Sequence, residues 1–159
     1  MILSLFIEGK PQPAGSRTVG RRKDGSVFTR PASKGLPAWQ KTVAEAVRTE
    51  VADVGIEQLG GPVRVELNFR LARPKSHFGS GRNSQTLRRI APPLWHEQKP
   101  DADKLVRAVL DACTSAGIWK DDSQVAVIDV VKVWCQPGQP EGVAVRVSPL
   151  VSEIAPETL

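Results

Sequence analysis

From Val63 to Leu71 apolar and polar residues alternate without a break (Val-Arg-Val-Glu-Leu-Asn-Phe-Arg-Leu). That period of two predicts a strand with one face on a core and the other open or only partly covered. Ile2 to Glu8 reads as a shorter strand and Val143 to Val147 as another. Val125 to Trp134 is apolar at nearly every position, which predicts a strand buried on both faces and therefore central in its sheet. Helical spacing appears twice. Trp39, Val43, Val47 and Val51 recur every four residues behind Pro37, predicting an amphipathic helix over Leu36–Val54 that stops at Gly55. Leu105, Val109 and Ala112–Cys113, widened by Val106 and Leu110, predict a second helix over Asp101–Ser115 that stops at Gly117.

Turns separate these elements at Gly60-Gly61-Pro62 and at Pro137-Gly138-Gln139-Pro140. The predicted order is strand, helix, strand, helix, strand, strand. Its natural solution is an α/β (α+β) fold, a small mixed four-stranded sheet with helices packed against it. Residues 1–150 read as one domain and 151–159 as a flexible C-terminal tail.

Two segments escape both periods. Residues 9–34 are rich in Gly, Pro, Ser and Arg, with a turn at Lys23-Asp24-Gly25-Ser26 followed by a partial strand at Val27-Phe28-Thr29. Residues 72–100 form a long loop punctuated by Pro74, Gly79, Gly81, Pro92 and Pro93, and loops of that length in compact domains usually carry function or are disordered. Charge follows the same division. The 159 residues carry a net charge of +5. Lys10, Arg17, Arg21, Arg22, Lys23, Arg30 and Lys34 against Asp24 sum to +6. Arg70, Arg73, Lys75, Arg82, Arg88, Arg89 and Lys99 against Glu97 sum to +6 again, so the rest of the chain is at −7. Basic charge confined to two irregular segments suits a phosphate-binding surface, although two solvated loops would look the same.

The remaining composition narrows the class. Apolar runs are too short to cross a bilayer, and the start lacks the pattern of a signal peptide. Cys113 and Cys135 sit inside apolar runs with no metal-binding spacing, which predicts reduced core residues and a cytoplasmic location. Of the tryptophans near the acidic region, Trp95 could stack on exposed bases, whereas core packing suits Trp119 better.

Candidate chemistry lies in four aspartates. Asp101 and Asp103 open the second predicted helix, directly after the basic loop, and Asp121-Asp122 precedes the strand at Val125. Carboxylates brought together in basic surroundings can hold the hard divalent cations that activate water for phosphodiester hydrolysis. Asp103, Arg107 and Asp111 form a stripe one helical turn apart, so Arg107 could clamp a phosphate or brace the carboxylates. Plainer roles compete: Asp101 as a helix cap, Asp121-Asp122 as a turn, the stripe as solvated ion pairs. A helix of this length spans about 22 Å, so whether the two acidic pairs meet, within one chain or across a dimer, stays open at this level.

The run Lys99-Pro100-Asp101-Ala102-Asp103-Lys104-Leu105-Val106-Arg107-Ala108-Val109-Leu110-Asp111-Ala112, followed by Gly117-Ile118-Trp119-Lys120-Asp121-Asp122-Ser123-Gln124-Val125, resembles the signature of the RusA Holliday junction resolvases. Gly9-Lys10-Pro11-Gln12-Pro13 and Phe28-Thr29 add to the resemblance, which spans roughly residues 1–148. It implies a crossover junction endodeoxyribonuclease of DNA recombination and repair. It further implies Mg2+ as cofactor, with Mn2+ as a substitute and no organic cofactor, and a homodimer acting on branched, four-way DNA away from any membrane. The expected setting is the cytoplasm of a bacterial or phage-infected cell.

By the same resemblance Asp101, Asp103 and Asp122 are the catalytic, metal-binding carboxylates, Asp111 and Asp121 are supporting acids, and Arg107 stands where some members carry a functional lysine. Arginine keeps the charge but not lysine's geometry or proton chemistry, so phosphate clamping is the expected role. Lys10, Arg17, Arg21, Arg22, Lys23, Arg30, Arg73, Lys75, Arg82, Arg88, Arg89, Lys99 and Lys104 are the expected DNA contacts. Each site is expected to form within one subunit. The competing readings are a non-catalytic basic DNA-binding protein and a nuclease that prefers flaps or forks.

Overall fold

The structure is a computed structural model that describes residues 2–15, 17–31 and 33–151; nearly all of the tail expected over 151–159 lies outside them. The elements are β1 (Leu3–Glu8), β2 (Arg17–Arg21), β3 (Val27–Pro31), α1 (Leu36–Val54), β4 (Val63–Leu71), α2 (Ala102–Ala116), β5 (Val125–Trp134) and β6 (Gly142–Pro149). Four strands form one mixed sheet in the order β1-β6-β4-β5, with β4 and β5 parallel and the other two pairings antiparallel. The α+β class and the four-stranded mixed sheet are as the periodicities predict.

The alternation in β4 does what it promises. Val63, Val65, Leu67, Phe69 and Leu71 are buried, together with Val143, Val145 and Val147 of β6 and Leu3 and Ile7 of β1. Onto them pack Trp39, Val43 and Val47 of α1 and Leu105, Val109 and Cys113 of α2. The sheet therefore has helices on one face only. On the other face Arg64 pairs with Asp129 (2.6 Å), and the Arg70 guanidinium lies 4.7 Å from the centre of the Phe6 ring. Both helices end as expected on glycines in the left-handed region, Gly55 (φ 70°) and Gly117 (φ 82°), where a side chain would be strained. Cys113 and Cys135 are buried free thiols, and Trp119 is a core residue whose Nε1 donates to Thr114 Oγ1 at 2.8 Å.

Two expectations need correction. The strand expected to be central, β5, is an edge: it pairs only with β4, and Ile128, Val130 and Val131 remain 42, 36 and 37 % exposed. Apolar residues on both faces report that a strand is meant to be covered, not which neighbour covers it. The segment read as a turn with a partial strand is a complete antiparallel hairpin, β2–β3, in register from Arg17–Pro31 to Arg21–Val27.

The 72–100 loop is shaped by short 3-10 turns at Lys75–His77 and Gly81–Asn83. It returns along the last third of β5, where His96 N–H donates to the Lys132 carbonyl (3.1 Å) and Trp134 N–H to the Leu94 carbonyl (2.8 Å).

Candidate active site

Asp101 occupies the N-cap of α2 with extended backbone, and its carbonyl accepts from Leu105 N–H at 3.2 Å. Its side chain makes no capping bond. Instead the carboxylate takes the Lys104 ammonium at 3.0 Å, and that bond, reinforced by the charges of Lys104, Lys99 and Lys132, holds the Asp101 carboxyl below the usual carboxylate range. Lys104 is raised in turn by the same contact. Asp103 follows in the first helical turn, exposed, at the positive end of the helix dipole. Both carboxylates are thus solvent-facing and free of structural duty beyond one lysine.

A cleft of about 520 Å³ opens beside them, lined by Lys10, Pro11, Gln12, Pro13, Lys99, Pro100, Asp101 and Lys104. Its walls come from the two segments that hold the basic charge. Ala14 N–H donates to the Lys104 carbonyl at 2.9 Å, which fastens the base of the β2–β3 hairpin to the first turn of α2. Arg17, Arg21, Arg22 and Lys23 are exposed on that hairpin. Arg30 lies in β3, but its side chain is outside the described residues. A second cleft, of about 300 Å³, lies one turn along the helix between Gly15, Arg17, Gln40, Arg107 and Asp111. There Gln40 Nε2 donates to Asp111 (3.4 Å), and Arg107 is exposed. The stripe Asp103, Arg107, Asp111 therefore faces the hairpin rather than the core.

The other acidic pair is elsewhere. Asp121 caps a 3-10 turn over Asp122–Gln124 through a capping box, its carboxylate accepting from Ser123 N–H at 2.9 Å, and that bond lowers its pKa. The turn is held to the C-terminal side of the sheet's helix layer, with Gln124 Nε2 donating to the Leu59 carbonyl (2.9 Å) and Gln58 Nε2 to the Gly117 carbonyl (3.1 Å). Asp101 lies at the opposite end, because Lys132, seven residues into β5, donates its Nζ to the Pro100 carbonyl at 2.8 Å. From Val125 to Lys132 a strand advances roughly 23 Å, and α2 covers about the same length from Asp101 to Ala116. Asp122 is thus a helix length away from Asp101 and Asp103 in its own chain. Among the described residues no three His, Cys, Asp or Glu side chains gather closely enough to hold a metal ion. The expectation of a complete site within one subunit is therefore not met: a strand parallel to β4 must begin at the end of the sheet opposite to where α2 begins.

Arg73 also needs correction as a DNA contact. It is 9 % exposed, and its guanidinium donates to the carbonyls of Cys135 (2.7 Å), Pro92 (2.6 Å) and Pro93 (2.9 Å). The group locks both ends of the 72–100 loop to the end of β5 and has no hydrogen left for a phosphate. By contrast Lys75, Arg82, Arg88, Arg89 and Lys99 are exposed on that loop, though Arg88 Nε is partly engaged by the Phe78 carbonyl at 2.7 Å. Trp95 is 65 % exposed.

Lys132 is the residue that the sequence reading passed over. Its Nζ bridges the carbonyls of Gln98 (2.6 Å) and Pro100 (2.8 Å), so it sets the peptide that leads into Asp101. The signal available was a single lysine in the otherwise apolar stretch Val130-Val131-Lys132-Val133-Trp134, where a solvated role is hard to satisfy.

Exposed carboxylates at a helix N-terminus, ringed by lysines and flanked by an arginine-bearing hairpin, form an arrangement suited to a polyanionic substrate and a hard cation. No curated protein matches the chain. The profile of a family described as endodeoxyribonuclease RusA matches residues 8–148, which takes in every element of the sheet, both helices and both acidic pairs. The chain therefore belongs to the RusA endodeoxyribonuclease family and is a DNA-hydrolysing nuclease.

Proposed function

We propose that this protein resolves four-way DNA junctions by magnesium-dependent hydrolysis, nicking two symmetry-related strands as a homodimer in recombination and repair. The observation that carries this reading is the pair Asp101 and Asp103, presented to solvent at the start of α2 in a cleft lined by Lys10, Lys99 and Lys104. The donor set suits magnesium, which takes oxygen ligands and needs only one or two carboxylates beside its waters. Asp101 and Asp103 would hold the ion, with Asp122 as the third carboxylate of the family pattern. The bound ion supplies charge neutralisation at the scissile phosphate and a water of lowered pKa. Mn2+ has the same preference for oxygen donors.

The chain's own residues do the rest. Lys104 keeps Asp101 ionised and oriented, Lys10 and Lys99 receive backbone phosphates at the cleft, and the hairpin side chains Arg17, Arg21, Arg22 and Lys23 extend the contact along an arm. Arg107, beyond the first turn, is placed to clamp the next phosphate, with Asp111 and Gln40 limiting where its guanidinium can swing. Lys75, Arg82, Arg88 and Arg89 offer a second run of contacts. No helix among the described residues is long and apolar enough to cross a membrane, and the two free thiols suit the cytoplasm of a bacterial or phage-infected cell.

The test is cleavage of a labelled synthetic four-way junction beside duplex, fork and flap controls, in Mg2+ and in EDTA. Symmetric Mg2+-dependent nicks confined to the junction are the expected result. Preferential cutting of forks or flaps would replace the substrate, and tight binding without cleavage in either Mg2+ or Mn2+ would overturn the reading. Asp103→Asn, which removes charge but little volume, is expected to abolish nicking while junction binding persists.

A further inference from the structure

Two features of β5 find no explanation within one chain. Its edge from Val125 to Val131 is apolar on both faces yet uncovered, with Ile128, Val130 and Val131 all more than a third exposed. Its leading end carries Asp122 a helix length away from the aspartates it should join. We propose that a second copy of this chain docks antiparallel on the free edge of β5, so that Asp122 of each subunit completes the site begun by Asp101 and Asp103 of the other. The catalytic role of that composite site rests on the metal-dependent reading above; the interface itself does not.

Backbone direction supports the pairing. The Lys132 carbonyl and the Trp134 N–H both point away from β4, into the 94–96 segment. Because alternate residues of a strand turn their N–H and C=O to the same side, Ile128 and Val130 present theirs to that same edge, beyond the reach of the segment. Among the described residues neither has a backbone partner there. Unpaired apolar edges are self-complementary templates, and proteins otherwise blunt them with charge, proline or a covering element.

An antiparallel pair centred on Ile128 sets Ile128 against its own copy and Val130 against Ala126. It places Asp129, already held by Arg64 at 2.6 Å, opposite Val127 rather than opposite a second carboxylate. Continued outward, the same register brings Asp122 level with Lys132–Trp134 of the partner subunit, the end of β5 that Lys132 ties to Pro100. Charge agrees with this placement: the acidic Asp121-Asp122 end of one chain meets the Lys99, Lys104 and Lys132 end of the other. Each site then has three carboxylates, the two sites are equal by the two-fold axis, and β5 becomes central in a continuous eight-stranded sheet, as its apolar pattern predicts.

Mixing two inactive variants tests the composite site. Asp103→Asn and Asp122→Asn are each expected to be inactive as homodimers. Their heterodimer keeps one site with all three carboxylates, so junction nicking on one strand returns; a site formed within one subunit leaves both damaged and gives no nicking. The converse pair, wild type with the double variant Asp103→Asn/Asp122→Asn, has no intact site and is expected to be inactive. One-strand nicking by that converse pair, or none by the first, overturns the proposal.

The interface is read without activity. Ile128→Cys is expected to form a disulfide-linked dimer under mild oxidation, since facing Cα atoms in such a pair are about 5.5 Å apart. Val130→Asp is expected to sediment as a monomer with native circular dichroism and to bind Mn2+ at least tenfold more weakly than wild type by calorimetry. A wild-type monomer, or a dimer that Ile128→Cys fails to cross-link, overturns the interface. A cross-linking dimer with the Mn2+ response but no nicking supports the interface and sinks the junction reading alone.

Discussion

Lys132 Nζ lies 2.8 Å from the Pro100 carbonyl and 2.6 Å from the Gln98 carbonyl, so one strand side chain sets the approach to Asp101. The ammonium is taken partly out of water to do this, which lowers its pKa, while the Asp101 carboxylate nearby opposes that fall. Hydrogen bonds from a charged donor are worth about 1.5–3 kcal/mol each. Lys132→Met is expected to lower stability by about 1–3 kcal/mol and to raise the Mg2+ concentration for half-maximal nicking several-fold. Lys132→Arg recovers part of both. Equal Mg2+ dependence in wild type and Lys132→Met, measured at saturating junction, would limit Lys132 to a structural role.

Arg73 and the hairpin arginines carry the same charge and should respond differently. Arg73→Ala strips a buried donor from three carbonyls and is expected to cost about 2–4 kcal/mol in urea unfolding, with the salt dependence of junction binding unchanged. Arg21→Ala/Arg22→Ala is expected to leave stability within about 0.5 kcal/mol and to reduce the slope of log affinity against log salt by about 2. A reversed pattern would return Arg73 to the DNA surface.

His96 is buried against Trp134, ring centres 4.0 Å apart, and its Nδ1 has no hydrogen-bond partner. Burial first, then the Lys132 charge, lowers its pKa below 6.5. A histidine kept neutral by folding contributes fully above its unfolded pKa. That contribution is lost as pH falls from about 6.5 toward the lowered folded value, below which both states are protonated and the loss stops. Stability measured between pH 7.5 and 5 should therefore drop, and His96→Gln should flatten the drop. An identical pH profile for the variant would assign the slope to other groups.

Both thiols should be silent in the folded protein. Burial pushes the Cys113 thiol up to about 12 and raises Cys135 as well. At pH 8 neither is expected to react with a disulfide reagent on the minutes scale, whereas both react in denaturant. Rapid labelling of Cys135 under native conditions would show that the 72–100 loop opens, since Arg73 ties the Cys135 carbonyl to that loop.

The sequence by itself determined the elements, because their signals are local. The alternation of Val63–Leu71 and the four-residue spacing from Trp39 to Val47 lie within single windows and appear in the structure at β4 and α1 with the expected bounds. The Asp101–Val125 block was equally legible as chemistry, and the family match spans it. Strand order, by contrast, depends on pairings between distant segments, and nothing inside Val125–Trp134 says whether β4, β6 or a second chain will cover its other edge. The inward turn of Arg73 follows from where the ends of a long loop meet, a non-local fact that charge counting cannot see. Only the tertiary structure showed that Asp122 and Asp101 stand at opposite ends of α2: β5 runs parallel to β4, and the helix that joins them must span the sheet before the strand can begin.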